Sequence, residues 1–377
     1  MNQSIVKEII RLRYGKPIFI DTRNANRYRL VAIENDGTKT AYCFSTPIYN
    51  QQTRKLVNLK FDRLEDGFYF TGSSAQIVVA QDIRLECPDG SCHLSLPGGN
   101  VYPEGRGLVW GGHMLYPTTN GIACQSDCSG GKRTEFVLKC SKPFWSIRAN
   151  DKYFALMSEE YKPFVTISCI GVTDSSGHII APAVIDYQQN TDQCYTIGLS
   201  SKSPLGQSLL FEVNLYESKL FQDTTVESGH PAENNAFGGT AFIGNTAAFG
   251  EQWLYTRPDF SRLSDLLDKQ IGRVILHLPK LSKSDIALTA YRVARRFCSF
   301  GSNWDNRIAM TQSIADSITT PGYQSLDITD LIQEPTTYTI VPPEGLILRT
   351  KVKGSGFSAV ATGDSYFTPQ ILEINFK

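Results

Sequence analysis

The sequence predicts an all-β protein made of two antiparallel β-sandwich or jelly-roll domains, with one short helix near the N-terminus. Its 377 residues include 30 Gly, 18 Pro, 17 Tyr and 20 Phe but only 20% charged residues, a composition typical of strands joined by turns. Short alternating runs of apolar residues recur between clusters of turn residues. At roughly 150 residues per domain the length predicts two domains, or three if the first region is subdivided.

The first element predicted is an amphipathic helix over 4–13. Its apolar side chains are interrupted by charged ones at helical spacing; they are Ile5, Val6, Ile9, Ile10 and Leu12. A secretory signal needs an unbroken apolar core of about 7–15 residues, so we expect no signal peptide in the chain as given. No apolar run approaches the roughly 18 residues of a membrane span, so we expect no transmembrane segment. The compartment stays open between the cytoplasm, export without a leader, and a mature exported form.

The strands that follow are predicted to pair as hairpins. Asp36-Gly37 separates the runs 27–33 and 40–44, and Asp66-Gly67 separates 56–61 from 68–70. A third hairpin joins 164–172 to 178–187. The only other helical spacing covers 262–269.

A polar segment, 200–206, predicts the domain boundary, which gives an N-terminal region 1–205 and a C-terminal domain 206–377. The N-terminal region could be one sandwich, or two smaller ones that meet near Lys142-Pro143. The stretch 96–131 is rich in glycine and proline and is predicted to be mostly loop.

Charge and motifs exclude several functions. With 37 basic and 37 acidic residues the chain offers no broad positive field, so nucleic acid is not an expected partner. No nucleophile elbow, P-loop or zincin motif is present. His277 lies in an alternating apolar run and is interpreted as a hydrogen-bonded core residue. The sequence therefore predicts no enzyme, with a metal-dependent enzyme in 96–131 as the least favoured alternative.

Two close cysteine pairs make a structural zinc site worth testing, although no other cofactor is expected. The pairs are Cys87 with Cys92 and Cys124 with Cys128. Zinc knuckles usually place two ligands two residues apart, and these gaps are wider, so disulfides and free thiols stay open as alternatives.

The C-terminal part resembles the DNRLRE family, a β-sandwich module of bacterial and archaeal surface proteins that is related to the disaggregatase repeat. The resemblance covers about 209–377 and rests on the order of its strand-like segments, which are 219–226, 245–250, 272–278, 286–291, 326–333, 345–349 and 357–364. Its sharpest motif is the run 303–307, which is similar to the family's Thr-Trp-Asn-Asn-Arg-Pro segment, with Ile308 in place of the proline.

This resemblance implies a jelly-roll-like sandwich at the cell surface or outside the cell, with a role in attachment or carbohydrate binding. A sugar site on a sandwich needs an aromatic ring for stacking and polar side chains for directional hydrogen bonds. Four adjacent residues supply both, namely Trp304, Asp305, Asn306 and Arg307. The alternative is that Trp304 is a core residue and that Asn306 and Arg307 organise the loop.

Two functions follow from the sequence. The first is a non-catalytic binding or adhesion protein whose C-terminal sandwich recognises a glycan or surface polymer. The second is a structural component of a phage-tail or injection-type appendage, for which a homo-oligomer is expected.

Overall fold

The computed structural model describes residues 19–33, 36–50, 52–53, 55–96, 100–158, 162–201, 203–284, 286–314, 317–352, 354 and 356–377. The chain is all-β, with 54% strand and 4% helix. The helix predicted over 4–13 lies outside the described residues. Within the described residues, no helix has the length and apolar character needed to cross a membrane.

Three strands precede the first sandwich: β1 (Phe19–Asn26), β2 (Arg29–Ile33) and β3 (Lys39–Phe44). The first sandwich then contains β4 (Asp62–Leu64), β5 (Gly67–Thr71), β6 (Gln76–Val79), β7 (Ile83–Cys87), β8 (Gly90–Ser95), β9 (Val101–Glu104), β10 (Gly107–Trp110), β11 (His113–Pro117), β12 (Gly121–Asp127), β13 (Thr134–Cys140), β14 (Ser146–Asn150), β15 (Tyr153–Met157), β16 (Pro163–Thr173), β17 (Ile179–Ala181), β18 (Val184–Thr191), β19 (Cys194–Ser200) and β20 (Ser208–Leu215). A 3-10 turn, Ser129–Gly131, follows β12.

The remaining strands are β21 (Phe221–Glu227), β22 (Thr240–Thr246), β23 (Gly250–Pro258), β24 (Ile271–Pro279), β25 (Leu288–Val293), β26 (Met310–Ile314), β27 (Ser317–Thr320), β28 (Tyr323–Asp327), β29 (Leu346–Thr350), β30 (Phe357–Ala361) and β31 (Ile371–Phe376). Short helical turns lie at Phe260–Leu263, Ser264–Leu267 and Thr329–Ile332. The first two occupy most of the helix predicted over 262–269.

Four sheets form two sandwiches. Sheet 1 has the order β18-β19-β13-β8-β7-β6-β5-β4, and sheet 2 has the order β14-β15-β16-β20-β12-β11-β10-β9, with β17 on β16. Sheet 3 has the order β26-β25-β29-β23-β22-β30, with β21 on β23, and sheet 4 has the order β1-β2-β3-β31-β24-β28-β27. One core lies between sheets 1 and 2, and a second lies between sheets 3 and 4.

Sheets 2 and 3 also pack on each other, so the four sheets stack in numerical order. Side chains alternate along β16, so Val165 and Ile167 enter the first core while Ser168 and Ile170 face sheet 3. Ile170 packs in a cluster with Phe242 of β22, and the Gly239 N–H donates to Ser168 Oγ at 2.5 Å. Every residue of β16 is consequently buried.

The domain boundary differs from the one predicted at 205/206. Strand β20 lies between β16 and β12 in sheet 2, so the first sandwich extends to Leu215. Strand β3 pairs along its length with β31, which places residues 19–44 in the second sandwich. The segment around Lys142-Pro143 joins two facing sheets of one sandwich, so it does not divide two domains. The backbone therefore crosses between the sandwiches twice, after β3 and after β20.

The stretch expected to be mostly loop is instead mainly strand. From residue 100 onward, β9, β10, β11 and β12 pair as consecutive antiparallel hairpins. Their turns require the left-handed conformation, which Gly105 and Gly112 adopt with φ of 58° and 84°. The glycines that suggested a loop therefore mark tight turns.

One of the three predicted hairpins formed as expected, and the other two formed with shifted partners. The Asp36-Gly37 turn joins β2 to β3, as expected. The Asp66-Gly67 turn joins β5 to β4 rather than to 56–61. The third turn joins β16 only to short β17, because β18 pairs with β19 in the other sheet of the sandwich.

Candidate functional site

The predicted ligand-binding loop is closed by its own hydrogen bonds. The Asn303 N–H donates to Asn306 Oδ1 at 2.9 Å, and the Asn306 N–H donates back to Asn303 Oδ1 at 3.1 Å. Asn306 Nδ2 also donates to the Gly301 carbonyl at 2.8 Å. Arg307 Nη1 donates to the Trp304 carbonyl at 2.6 Å. Asn306 and Arg307 thus organise the loop.

The Trp304 ring is already stacked within the protein. The Arg307 guanidinium lies 4.0 Å from the Trp304 ring centroid, and the ring of Trp253 lies 4.9 Å away at 55°. Arg349 covers Trp253 in turn at 4.1 Å. Asp305 is exposed, and its backbone N–H bonds the Pro231 carbonyl. The Arg307 guanidinium and the Trp253 ring thus already occupy part of the space around the Trp304 ring.

The four cysteines of the predicted zinc site do not converge. Cys87 and Cys92 belong to sheet 1, whereas Cys124 and Cys128 lie on and just after β12 of sheet 2. All nine cysteines are free thiols. Burial raises the pKa of Cys124 to about 12. In the described part of the chain, the only metal-type cluster of three or more groups lies elsewhere.

Cys92 has a partner that the sequence did not indicate. It stands opposite Cys140 in the β8–β13 pairing, and the two Sγ atoms are 2.9 Å apart. Both side chains are buried. Spacing along the chain gives no signal for this pair, because it depends on the register of two strands 48 residues apart.

His277 forms a buried triad with Ser325 and Glu373. Its Nδ1 lies 2.7 Å from Ser325 Oγ, and its Nε2 lies 2.8 Å from Glu373 Oε2. These residue types match those of a hydrolytic triad. All three are at most 2% exposed, so a substrate cannot reach the Ser325 hydroxyl. Both ring nitrogens have partners, which agrees with the interpretation of His277 as a core residue.

The metal-type cluster consists of Glu227, His230 and Glu233, whose candidate ligand atoms lie within 4.8 Å of one another. Glu227 is fully buried and is paired with Lys152, and it also accepts from Gln252 Nε2 at 2.7 Å. Burial lowers the pKa of Lys152, and the adjacent Glu227 carboxylate opposes that shift. The Lys152 ammonium and the Gln252 amide both contact Glu227 Oε2, whereas His230 Nδ1 lies 3.0 Å from Glu227 Oε1, so this carboxylate is shared between a buried ion pair and an imidazole.

A cleft of about 690 Å³ opens where the chain passes from the first sandwich to the second. Its walls come from both sandwiches and from the second crossing segment. The lining residues are Arg27, Gln52, Ser74, Cys87, Pro88, Asp89, Lys142, Ser158, Lys162, Pro163, Phe164, Leu215, Tyr216, Glu217 and Ser218.

The chemistry of this cleft is mixed cationic and aromatic. The Lys142 ammonium lies 5.1 Å from the Phe164 ring centroid, and Phe144 packs against the same ring at 5.0 Å. In the described ranges Lys142 has no ion-pair partner, whereas Arg27 pairs with Glu217. The cleft therefore presents, beside an aromatic surface, an ammonium group with no ion pair among the described residues, although the carboxylates of Asp89 and Glu217 also line it. Sequence reasoning missed it because its walls are far apart along the chain.

Comparison with protein-family models found no matching family, and comparison with curated proteins found no matching relative. The resemblance of 209–377 to the DNRLRE family stays a prediction.

Proposed function

We propose that the chain is a non-catalytic binding protein whose cleft takes a glycan or surface polymer that carries carboxylate or sulfate groups. The observation that supports this most directly is Lys142, an exposed cation at the cleft that forms no ion pair with any described residue. An anionic ligand group would gain an ion pair there without breaking one in the protein.

The neighbouring groups suit a polyhydroxylated ligand. Ser74, Ser158 and Ser218 line the cleft with hydroxyl groups, which can donate and accept directional hydrogen bonds. The hydroxyls of Ser74 and Ser218 also contact protein groups, namely Asn120 for Ser74 and Tyr28 and Arg262 for Ser218. Phe164 and Tyr216 supply apolar ring surface. Binding sites commonly combine such surface with a few polar groups that fix the ligand's orientation.

The cleft is a better candidate than the Trp304 loop because its cation is unpaired. In the Trp304 loop, the Arg307 guanidinium already makes a cation–π contact with the Trp304 ring, at 4.0 Å from the ring centroid. A ligand there would have to replace that contact before it gained any free energy.

The test is calorimetric titration with heparin as a sulfated glycan, polygalacturonate as a carboxylated glycan and dextran as a neutral one. We expect binding to at least one anionic polymer, weakening as salt is added because exposed charges are screened over about 10 Å at 0.1 M salt. Lys142→Glu should weaken it at least about tenfold, which corresponds to about 1.4 kcal/mol.

Lys139→Glu is the matched control. Lys139 is exposed on β13 three positions earlier and does not line the cleft, so the same charge change should leave affinity unaltered. Equal weakening by the two variants, or equal binding of dextran, would contradict the proposal.

A structural role in a phage-tail or injection-type appendage is the second candidate. The observation that favours it is the double chain crossing and the burial of both faces of β16, which oppose relative motion of the sandwiches. Size-exclusion chromatography with light scattering is the test: a cyclic oligomer of the full chain supports an appendage subunit, and a monomer over the working concentration range contradicts it.

A further inference from the structure

Three ionisable side chains meet in the protein interior beside the second chain crossing. Lys219 Nζ lies 2.5 Å from Asp364 Oδ1, and these side chains are only 5% and 8% exposed. Asp223 lies against the same group and is 2% exposed. Lys219 comes from the segment that follows β20, and Asp364 from the turn that follows β30.

Aromatic rings seal this site from water. The Lys219 ammonium is 4.6 Å from the ring centroid of Tyr366 and 5.8 Å from that of Tyr216. Tyr366 is fully buried, and its hydroxyl donates to the Glu217 carbonyl at 2.9 Å. A lysine held this way has few orientations open to it and little competing solvent.

The surroundings of Asp223 favour its protonated form. Burial and the neighbouring Asp364 charge raise the pKa of Asp223 well above its ordinary value. One of its oxygens accepts from the Gly363 N–H. The other, Oδ1, meets no donor among the described groups. A protonated Asp223 resolves this, because the shared proton lets one carboxyl donate to the other.

We propose that Lys219 and Asp364 join in an intramolecular amide bond, with Asp223 as the catalytic acid. The site brings together a nucleophile, an electrophilic carboxyl carbon and a proton donor.

The step balances without a co-reactant. The proton of the Lys219 ammonium passes to the Asp364 carboxylate, which leaves a neutral amine and a carboxylic acid. The amine lone pair attacks Asp364 Cγ, a C–N bond forms, and Asp223 hydrogen-bonds to the oxygen that gains negative charge. A proton from the nitrogen moves through Asp223 to the hydroxyl group, the C–O bond breaks and water leaves. Asp223 ends protonated, as it began.

Proximity offsets the unfavourable loss of water from an acid and an amine. Well-oriented groups in one molecule react as if present at about 10⁵–10⁸ M, provided that they are held near contact distance. The fold holds Lys219 and Asp364 at that distance from positions 145 residues apart.

The test is intact-mass spectrometry of the purified full chain, followed by peptide mapping. We expect a mass lower than that of the sequence by one water molecule, and a branched peptide that joins Lys219 to Asp364. Lys219→Arg keeps the charge but removes the nucleophile, so its mass should equal that of its sequence. Lys283→Arg, at an exposed lysine, is the matched control and should retain the full mass decrease.

Two further outcomes decide the assignment. An unmodified wild-type mass, or a branched peptide at another lysine, would overturn the amide bond. Asp223→Asn should abolish the water loss while circular dichroism shows the wild-type spectrum. If either Asp223→Asn or Asp223→Ala forms the bond as fully as wild type, Asp223 is not its acid.

Discussion

At each end of the junction between the sandwiches a lysine is buried against a carboxylate, but different side chains surround the two pairs. At one end Lys152 meets Glu227, whose other partners are the amide of Gln252 and the ring of His230. At the other end Lys219 meets Asp364, whose neighbour Asp223 is a second carboxyl group. Both ends also have a second carboxyl group nearby, but Glu233 is partly exposed whereas Asp223 is buried. The comparison teaches that burial of the second carboxyl group decides the chemistry, because only a buried carboxylic acid can deliver a proton away from water.

The largest expected effect is at the Lys152 end. Lys152→Met leaves the fully buried Glu227 without its ammonium partner, and we expect the free energy of unfolding to fall by about 3–5 kcal/mol. Urea denaturation followed by circular dichroism measures it. Adding Glu227→Gln should recover most of the loss, because no buried charge then lacks a partner. A single variant as stable as wild type would show that this end is not held by its ion pair.

Oxidation within the first sandwich tests whether the junction couples the two sandwiches. A small-molecule disulfide should link Cys92 to Cys140 by thiol–disulfide exchange, closing a 48-residue separation and stabilising the chain by about 4 kcal/mol. In calorimetry we expect one unfolding transition that moves to higher temperature as a whole. Cys140→Ser should not respond to the oxidant. Two transitions, of which only one moves, would mean that the sandwiches unfold separately.

The pH dependence of the free energy of unfolding should distinguish the end of the junction that holds Asp223 from the end that holds Lys152. It is best measured in Lys219→Arg, where no amide bond can form. The folded-state pKa of Asp223 lies above the unfolded value of 3.8, so its protonated form stabilises the fold at low pH. That contribution is lost as pH rises through the folded pKa, by up to about 1.4 kcal/mol per pH unit. Asp223→Asn in the same background should flatten the profile between pH 3.8 and the folded pKa, and an unchanged slope would mean that Asp223 is ionised in the native state.

The smallest expected effect concerns the loop 303–307, which carries Trp304 and belongs to neither end of the junction. Arg307→Ala removes the guanidinium that covers Trp304, and we expect a loss of about 0.5–1 kcal/mol in urea denaturation. Affinity for the anionic glycans should not change. If this variant binds more weakly than wild type while Lys142→Glu binds normally, the ligand site lies at Trp304 rather than in the cleft.

Local features of the sequence predicted local features of the fold. The all-β class was correct because strand alternation and Asp-Gly turns are encoded within a few residues, as at Asp36-Gly37. The stretch 96–131 was misread because glycine is common both in loops and in tight hairpin turns, and only φ distinguishes them. Strand partners such as β3 and β31 leave no mark in either strand alone.

The candidate sites were less predictable for the same reason. The residue types at Trp304 and Arg307 were visible, but the second ring, Trp253, comes from a different strand. The cysteine spacings suggested pairs within loops, whereas register set Cys92 opposite Cys140. One further site depends on the turn after β30, which brings Asp364 to Lys219 and to Asp223 of β21. No local sequence pattern connects that turn to β21.

The pairing of β3 with β31 also orders events during synthesis. The first sandwich, β4 to β20, contains all of its own strands and can fold once residue 215 has left the ribosome. Strands β1–β3 emerge earlier, but their place in sheet 4 requires β31, which ends at Phe376. Contacts of such long sequence separation form slowly because loop closure precedes them. Strands β1–β3 thus have an unpaired edge until β31 has been synthesised, and during this interval a chaperone or a wrong strand partner would act.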